Sequence, residues 1–260
     1  MMFIFGRIGI QADYFIAVGV TYQEMFEFPQ KKFFFCLSND YNFKEMPGLN
    51  DQHKEFVDRD TGFFQGLPDR KLIVKEGEEE EPAEEPAAEE SGEEGEKKAE
   101  DSEISEPEEV KVPPKELTEI DRVNYVVHAI ETDCQIAPIG AYKMTSQHQV
   151  RRNEAFKGLG ADESLKATSY LHFRNVLDEN KKKQLDAPSA PFDAGFLEAI
   201  KDDKPNGCWS FQHDLGKQTV LGRNLLWPGF NFYHTLNQCK FGSVYIGDGL
   251  KNLELQFMTQ

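Results

Sequence analysis

A thiol beside an imidazole is the pairing in this chain best suited to covalent chemistry. There are four cysteines, Cys36, Cys134, Cys208 and Cys239, and six histidines, His53, His128, His148, His172, His213 and His234. Two pairs fall close in sequence: Cys208 with His213, and Cys239 with His234. A neighbouring imidazole can draw off the thiol proton and leave a nucleophilic thiolate. The competing reading is packing, the commonest use of a free cysteine, and it is the one preferred here. No C-x-x-C pair occurs and no histidines stand at metal-ligand spacing, so neither a zinc site nor a disulfide scaffold is indicated and no metal is expected. Reduced core thiols fit an intracellular compartment. The G-x-S-x-G, P-loop and H-E-x-x-H signatures are missing. Gly6-Arg7-Ile8-Gly9 sits inside a strand pattern, so it makes no phosphate-binding loop, and Arg151-Arg152 is too isolated a basic pair to form an anion patch. No cofactor is expected, and the chain reads as something other than an enzyme.

Carboxylates are plentiful but badly placed for catalysis. From Glu76 to Glu109 there are 18 acidic and 2 basic residues and no aromatic one. The rest of the chain carries 28 acids and 27 bases, so nearly all of the net charge of −17 belongs to that tract. Like charges at this density repel, and nothing in the tract can offset the entropy of ordering it. It is expected to be disordered, with no fixed geometry for general acid–base work. Without a turn glycine in a ligand loop, solvated charge is a better reading than a calcium site. The tract is either a linker between two domains or a loop thrown out by one. Loop closure costs little even for long insertions, and the first 75 residues offer only a few strands, which favours the loop. The expected organisation is one globular domain from residues 1–75 and 110–260, with 76–109 as an acidic disordered loop. With no basic stripe, nucleic acid is not an expected partner. No apolar run approaches the ~18 residues needed to cross a bilayer, and the N-terminus lacks the basic start and small-residue cleavage site of a signal peptide.

The elements that must hold these side chains are mostly strands. Gly207 to Asp248 reads as a β-meander. Trp209 to Gln212, Thr219 to Trp227, Phe230 to His234 and Phe241 to Ile246 are its strands, with turns at Asp214-Leu215-Gly216, Pro228-Gly229, Asn237-Gln238 and Gly247-Asp248-Gly249. Proline followed by glycine suits a type II turn, because the glycine must take positive φ. Trp227, Pro228, Gly229 and Phe230 are therefore expected to form a structural corner. Phe3 to Ile10 and Tyr14 to Val20 predict a hairpin, Lys32 to Leu37 a further strand, and Leu72 to Val74 a short one. Apolar residues at three- and four-residue steps predict a helix over Glu116–Thr132, opened by Thr118-x-x-Asp121, although its valines leave a strand open as an alternative. Shorter helices are expected over Asn50–Val57, Asp162–Leu171 and Phe192–Ile200. Cys134–Met144 and a piece beginning at His172 should be extended, and Lys181-Lys182-Lys183 should be a solvated turn. The predicted fold class is α+β: mainly antiparallel sheet with a C-terminal β-meander and a few short helices.

Six stretches occur in a recognisable order: F-G-R-I-G-I-Q-A-D-Y-F-I-A, A-P-I-G-A-Y-K, N-E-A-F-K-G-L, S-Y-L-H-F-R, L-L-W-P-G-F-N-F-Y-H and G-S-V-Y-I-G-D-G-L-K-N. Together they resemble the radial spoke head protein 9 family. More distantly they are similar to the radial spoke head 4/6 subunits, which share an F-W-G-K-I-G-like start, an L-W-P-G corner and a Y-I-G-W-G-like end. The resemblance covers the chain outside the acidic tract, and Leu225–Gly229 with Phe232-Tyr233-His234 is its most specific part. Family members usually carry a helical segment ahead of the first hairpin, which this sequence lacks, and its acidic tract is longer than the family pattern. The resemblance implies a non-catalytic structural subunit of the radial spoke head in the ciliary or flagellar axoneme, within the cytoplasmic cytoskeleton. Its implied partners are other spoke head subunits, with transient contact to the projections of the central pair of microtubules. Through these the spoke relays mechanical signals to dynein. On charge grounds the tract would lie at the outer face and keep those contacts brief, since tubulin-type surfaces are also acidic. The alternative from composition alone is an acidic chaperone-like protein that binds basic partners through its glutamates.

Overall fold

The computed structural model describes residues 2–5, 12–21, 28–48, 54, 57, 62–72, 117–185 and 195–258. The elements in chain order are β1 (Met2–Phe5), β2 (Tyr14–Thr21), β3 (Gln30–Leu37), β4 (Lys44–Glu45), α1 (Glu119–Cys134), β5 (Ile136–Pro138), β6 (Tyr142–Met144), β7 (Val150–Arg152) and β8 (Tyr170–His172). Then follow α2 (Glu179–Leu185), β9 (Trp209–Asp214), β10 (Thr219–Asn224), β11 (Phe230–Thr235), β12 (Phe241–Gly247) and α3 (Leu255–Met258). The fold is α+β.

Eight strands make one sheet in the order β4-β3-β2-β1-β12-β11-β10-β9. Neighbours are antiparallel except β1 and β12, which run parallel with Met2 opposite Val244 and Phe5 opposite Gly247. The predicted hairpin is present, with Met2 opposite Ala17 and Phe5 opposite Tyr14; its first strand beyond Phe5 lies outside the described residues. The meander is present as β9 to β12. Period-two alternation sends Tyr14 and Ile16 of β2, Phe33 of β3, Phe230 and Phe232 of β11 and Tyr245 of β12 into one core. Helix α1 lies over that face and contributes Val123, Val126, Val127, Ile130 and Cys134. Burying side chains of this size stabilises by roughly 1.5–3 kcal/mol each.

The predicted start of the long helix is correct, and a helix wins over a strand. Asp121 Oδ2 accepts from the Thr118 backbone N–H at 3.0 Å and from its hydroxyl at 2.7 Å. Glu119, fully buried, fastens the loop that precedes the acidic tract. Its carboxylate accepts from the N–H groups of Gln65, Gly66 and Leu67, from the Tyr14 hydroxyl at 2.8 Å and from Arg70 Nε at 2.8 Å.

Several local expectations give way to tertiary structure. Residues 162–171 are not a helix: after turns and a 3-10 turn at Ala167–Ser169 the chain enters β8. Tyr170 is drawn down onto the sheet, where its ring stacks on Phe211 with centroids 4.6 Å apart and planes 4° apart. His172 thus ends this extended piece and does not begin it. Residues 195–199 are not helical either. The Glu198 carbonyl accepts from the His172 N–H and Ala199 bridges to Leu171, leaving a 3-10 turn at Ile200–Asp202. Lys181-Lys182-Lys183 lie within α2, none of whose residues is buried. Cys134 closes α1, so the extended stretch begins at Ile136. The second meander strand stops at Asn224, short of Trp227. The Asn224 side chain accepts from the N–H groups of Leu226 and Trp227 and turns the chain there. The strand expected at Leu72–Val74, the helix at Asn50–Val57 and the tract 76–109 fall largely or wholly outside the described residues.

Candidate functional site

The corner at Trp227–Phe230 is built by backbone and completed by side chains from elsewhere. Phe230 N–H donates to the Trp227 carbonyl at 3.1 Å, closing a turn over Pro228 and Gly229. Gly229 has φ +100, and a Cβ there would lie 2.1 Å from the Ile246 carbonyl oxygen, so only glycine fits. Its own carbonyl accepts from Ile246 N–H at 3.0 Å and Asn231 Nδ2 at 2.9 Å. Next along the chain, a Cβ on Gly247 would lie 2.6 Å from the Pro228 carbonyl oxygen, and the Tyr245 hydroxyl accepts from Gly249 N–H at 2.9 Å. The L-W-P-G and Y-I-G-D-G stretches are thus two halves of one lock.

Both tryptophans are held at their indole nitrogens by aspartates. Trp227, 4% exposed, donates to Asp133 Oδ2 at 2.9 Å. Lys251 Nζ reaches the same oxygen at 3.1 Å and stands 5.6 Å from the centre of the Trp227 ring. Trp209 donates to Asp203 Oδ2 at 2.8 Å, and the other oxygen of Asp203 bonds His172 Nε2 at 2.7 Å. A cavity of about 130 Å³ lies among Asp133, Asp203, His172, Cys208 and Lys251. Each aspartate already joins an indole to a basic group, so these carboxylates serve as clamps between α1, β8 and the meander. A second cavity, of about 220 Å³, has Phe33, His128, Glu131 and Phe173 in its wall. There Lys31 pairs with Glu131 and stands over the Phe173 ring.

The two cysteine–histidine pairs are not assembled. Cys208 precedes β9 and His213 lies near its far end, about 17 Å away along an extended strand. His234 is fully buried, whereas Cys239 is exposed and its Sγ meets the Phe156 carbonyl. Cys36, Cys134 and Cys208 are buried; the expectation of four core thiols fails at Cys239, which sits on the turn after β11. Burial pushes the Cys208 thiol up to about 11, and Cys134 well above its ordinary value, which suppresses the thiolate. Among the described residues no cluster of three or more potential ligands could hold a metal ion, and no helix is long and apolar enough to cross a membrane. Sequence reading missed Asp133, Asp203 and His172 as a group, because no local spacing links them.

The carboxylates of Glu119, Asp133 and Asp203 fasten distant segments to one another, and the fold they hold is a sheet-built module. No protein-family model matches the chain. Curated relatives do. A radial spoke head protein 9 homolog from Homo sapiens is 32% identical over 257 residues, spanning 97% of this chain and 83% of the relative. Those from Bos taurus and Danio rerio are each 31% identical, spanning 97% and 96% of this chain and 83% and 82% of the relative. The chain belongs to the radial spoke head protein 9 family, whose members are spoke head components of the axoneme of cilia and flagella.

Proposed function

We propose that this chain is a non-catalytic structural subunit of the radial spoke head. In this reading it helps assemble the head that meets the central-pair apparatus and relays the mechanical signals that control dynein. Its similarity to the family over nearly its whole length carries the reading. The chemistry agrees: the half-buried carboxylates of Asp133 and Asp203 close on the two indoles and present no activated nucleophile. Residues 1–75 and 110–260 are proposed to act as one unit, supported by the shared sheet that β1–β4 and β9–β12 form. Its proposed partners are the other spoke head subunits, with transient contact to central-pair projections.

The test is complementation. Cells lacking this chain should build incomplete spoke heads and beat abnormally, and the tagged chain should restore both and co-purify with spoke head subunits. Complete spokes and normal swimming without it would overturn the proposal. Within the same cells, a chain lacking residues 76–109 is expected to assemble while altering the beat. Failure to assemble would make the acidic tract an assembly element and defeat its assignment to the outer face.

A further inference from the structure

The two edges of the large sheet differ. At one edge, β4 is only two residues long, and Lys31, Lys32, Lys44 and Glu45 stud it and its neighbour β3. Short length and charge are the usual means of blunting an edge against further pairing. At the other edge β9 runs for six residues, W-S-F-Q-H-D, with no lysine, arginine or proline and a single carboxylate at its end.

The register says which backbone groups this edge offers. Leu225 N–H donates to the Cys208 carbonyl at 2.8 Å, and Leu236 N–H to the Gln218 carbonyl at 2.9 Å. In an antiparallel ladder bonded pairs recur every second residue. With Cys208 and Leu225 a bonded pair, Ser210, Gln212 and Asp214 bond inward to β10, while the N–H and C=O groups of Trp209, Phe211 and His213 point away from the sheet. Among the described residues nothing pairs with β9 on that side and no backbone bond reaches those three. The side chains of the same three residues face the core side and are half-buried. Trp209 and Phe211 stack with centroids 6.2 Å apart, and Tyr170 continues the stack.

We propose that β9 is an interaction edge that takes an extended strand from another spoke head subunit, a proposal that rests on the function assigned above. Such a strand would bond the backbone of Trp209, Phe211 and His213. It would set alternate apolar side chains against the half-buried Trp209 and Phe211 rings, leaving polar ones on the opposite face beside Ser210 and Gln212. Main-chain bonding supplies affinity, and the aromatic stack selects the alternation.

Amide hydrogen exchange tests this directly. In the purified chain the Phe211 and His213 amides should exchange fast while Ser210 and Gln212 are protected. In spoke heads isolated with this chain in place, Phe211 and His213 should slow by at least about 100-fold. The proposal is overturned if they stay as fast in the spoke head, if they are already slow in the purified monomer, or if self-association of the purified chain alone slows them. Failure to find the chain in spoke heads at all would remove the functional reading and this proposal with it. As a second arm, His213→Pro deletes one outward N–H without touching the β9–β10 ladder. It should fold yet be recovered in spoke heads at least about 10-fold less than the wild type; equal recovery counts against the edge. If that variant does not fold, the exchange comparison on the unaltered chain still decides.

Discussion

The indole N–H of Trp227 donates to Asp133 across 94 residues of sequence, at 2.9 Å. This bond ties the corner of the meander to the last turn of α1, the helix that covers the sheet. Trp227→Phe removes the donor together with part of the buried ring. It should lower stability by roughly 1–3 kcal/mol, with Trp227→Ala costing roughly 3–5 kcal/mol, both read from the urea midpoint. An unchanged midpoint for Trp227→Phe would show that neither the bond nor the lost ring volume contributes net stability.

Gly229→Ala puts a methyl group into the Ile246 carbonyl at a residue held at φ +100. The turn and the adjacent strand must both shift, for a loss of about 1–3 kcal/mol or more. Gly48→Ala is the control, since a Cβ there meets nothing within 4 Å. The pair is compared by thermal unfolding, and equal Tm values would contradict the geometry.

His234 is enclosed in the core, and burial holds its pKa below the ordinary imidazole value. Below about pH 6.5 the unfolded chain therefore binds protons that the folded chain does not, so stability falls as pH drops from 6.5 towards the lowered folded value. Denaturant midpoints between pH 7.5 and 5.5 should decline for the wild type, and less steeply for His234→Leu. Parallel slopes would mean that His234 is not the titrating group.

Of the four thiols only Cys239 is exposed. A thiol reagent at pH 8 should modify one cysteine per chain quickly, with Cys36, Cys134 and Cys208 reacting only on unfolding. Peptide mapping by mass spectrometry identifies the sites. Fast modification of Cys208 in the folded chain would contradict its burial and reopen the enzyme reading.

The meander was legible because each strand alternates and each turn carries its own punctuation, such as Pro228-Gly229 or Gly247-Asp248-Gly249. The long helix was legible for the same kind of reason, a repeat closed by Thr118 and Asp121. What was hidden depends on partners far away in sequence. Asp162–Leu171 has helical spacing, yet Tyr170 gains more by stacking on Phe211 than by remaining in a helix, and β8 replaces it. The clamps fall in the same class. Asp133 and Asp203 resemble any other surface acid until the sheet brings Trp227 and Trp209 beside them.

The parallel pairing of β1 with β12 has a consequence for how the protein is made. During synthesis β1 and β2 are made well before the neighbour that β1 needs, which lies roughly 240 residues further along the chain. At ordinary elongation speeds that interval is about 10–50 s. Until then a nascent hairpin with an unfilled seam is displayed beside the ribosome. The sheet can close only once β12 has been made, so a message truncated before β12 yields a product whose two halves never join.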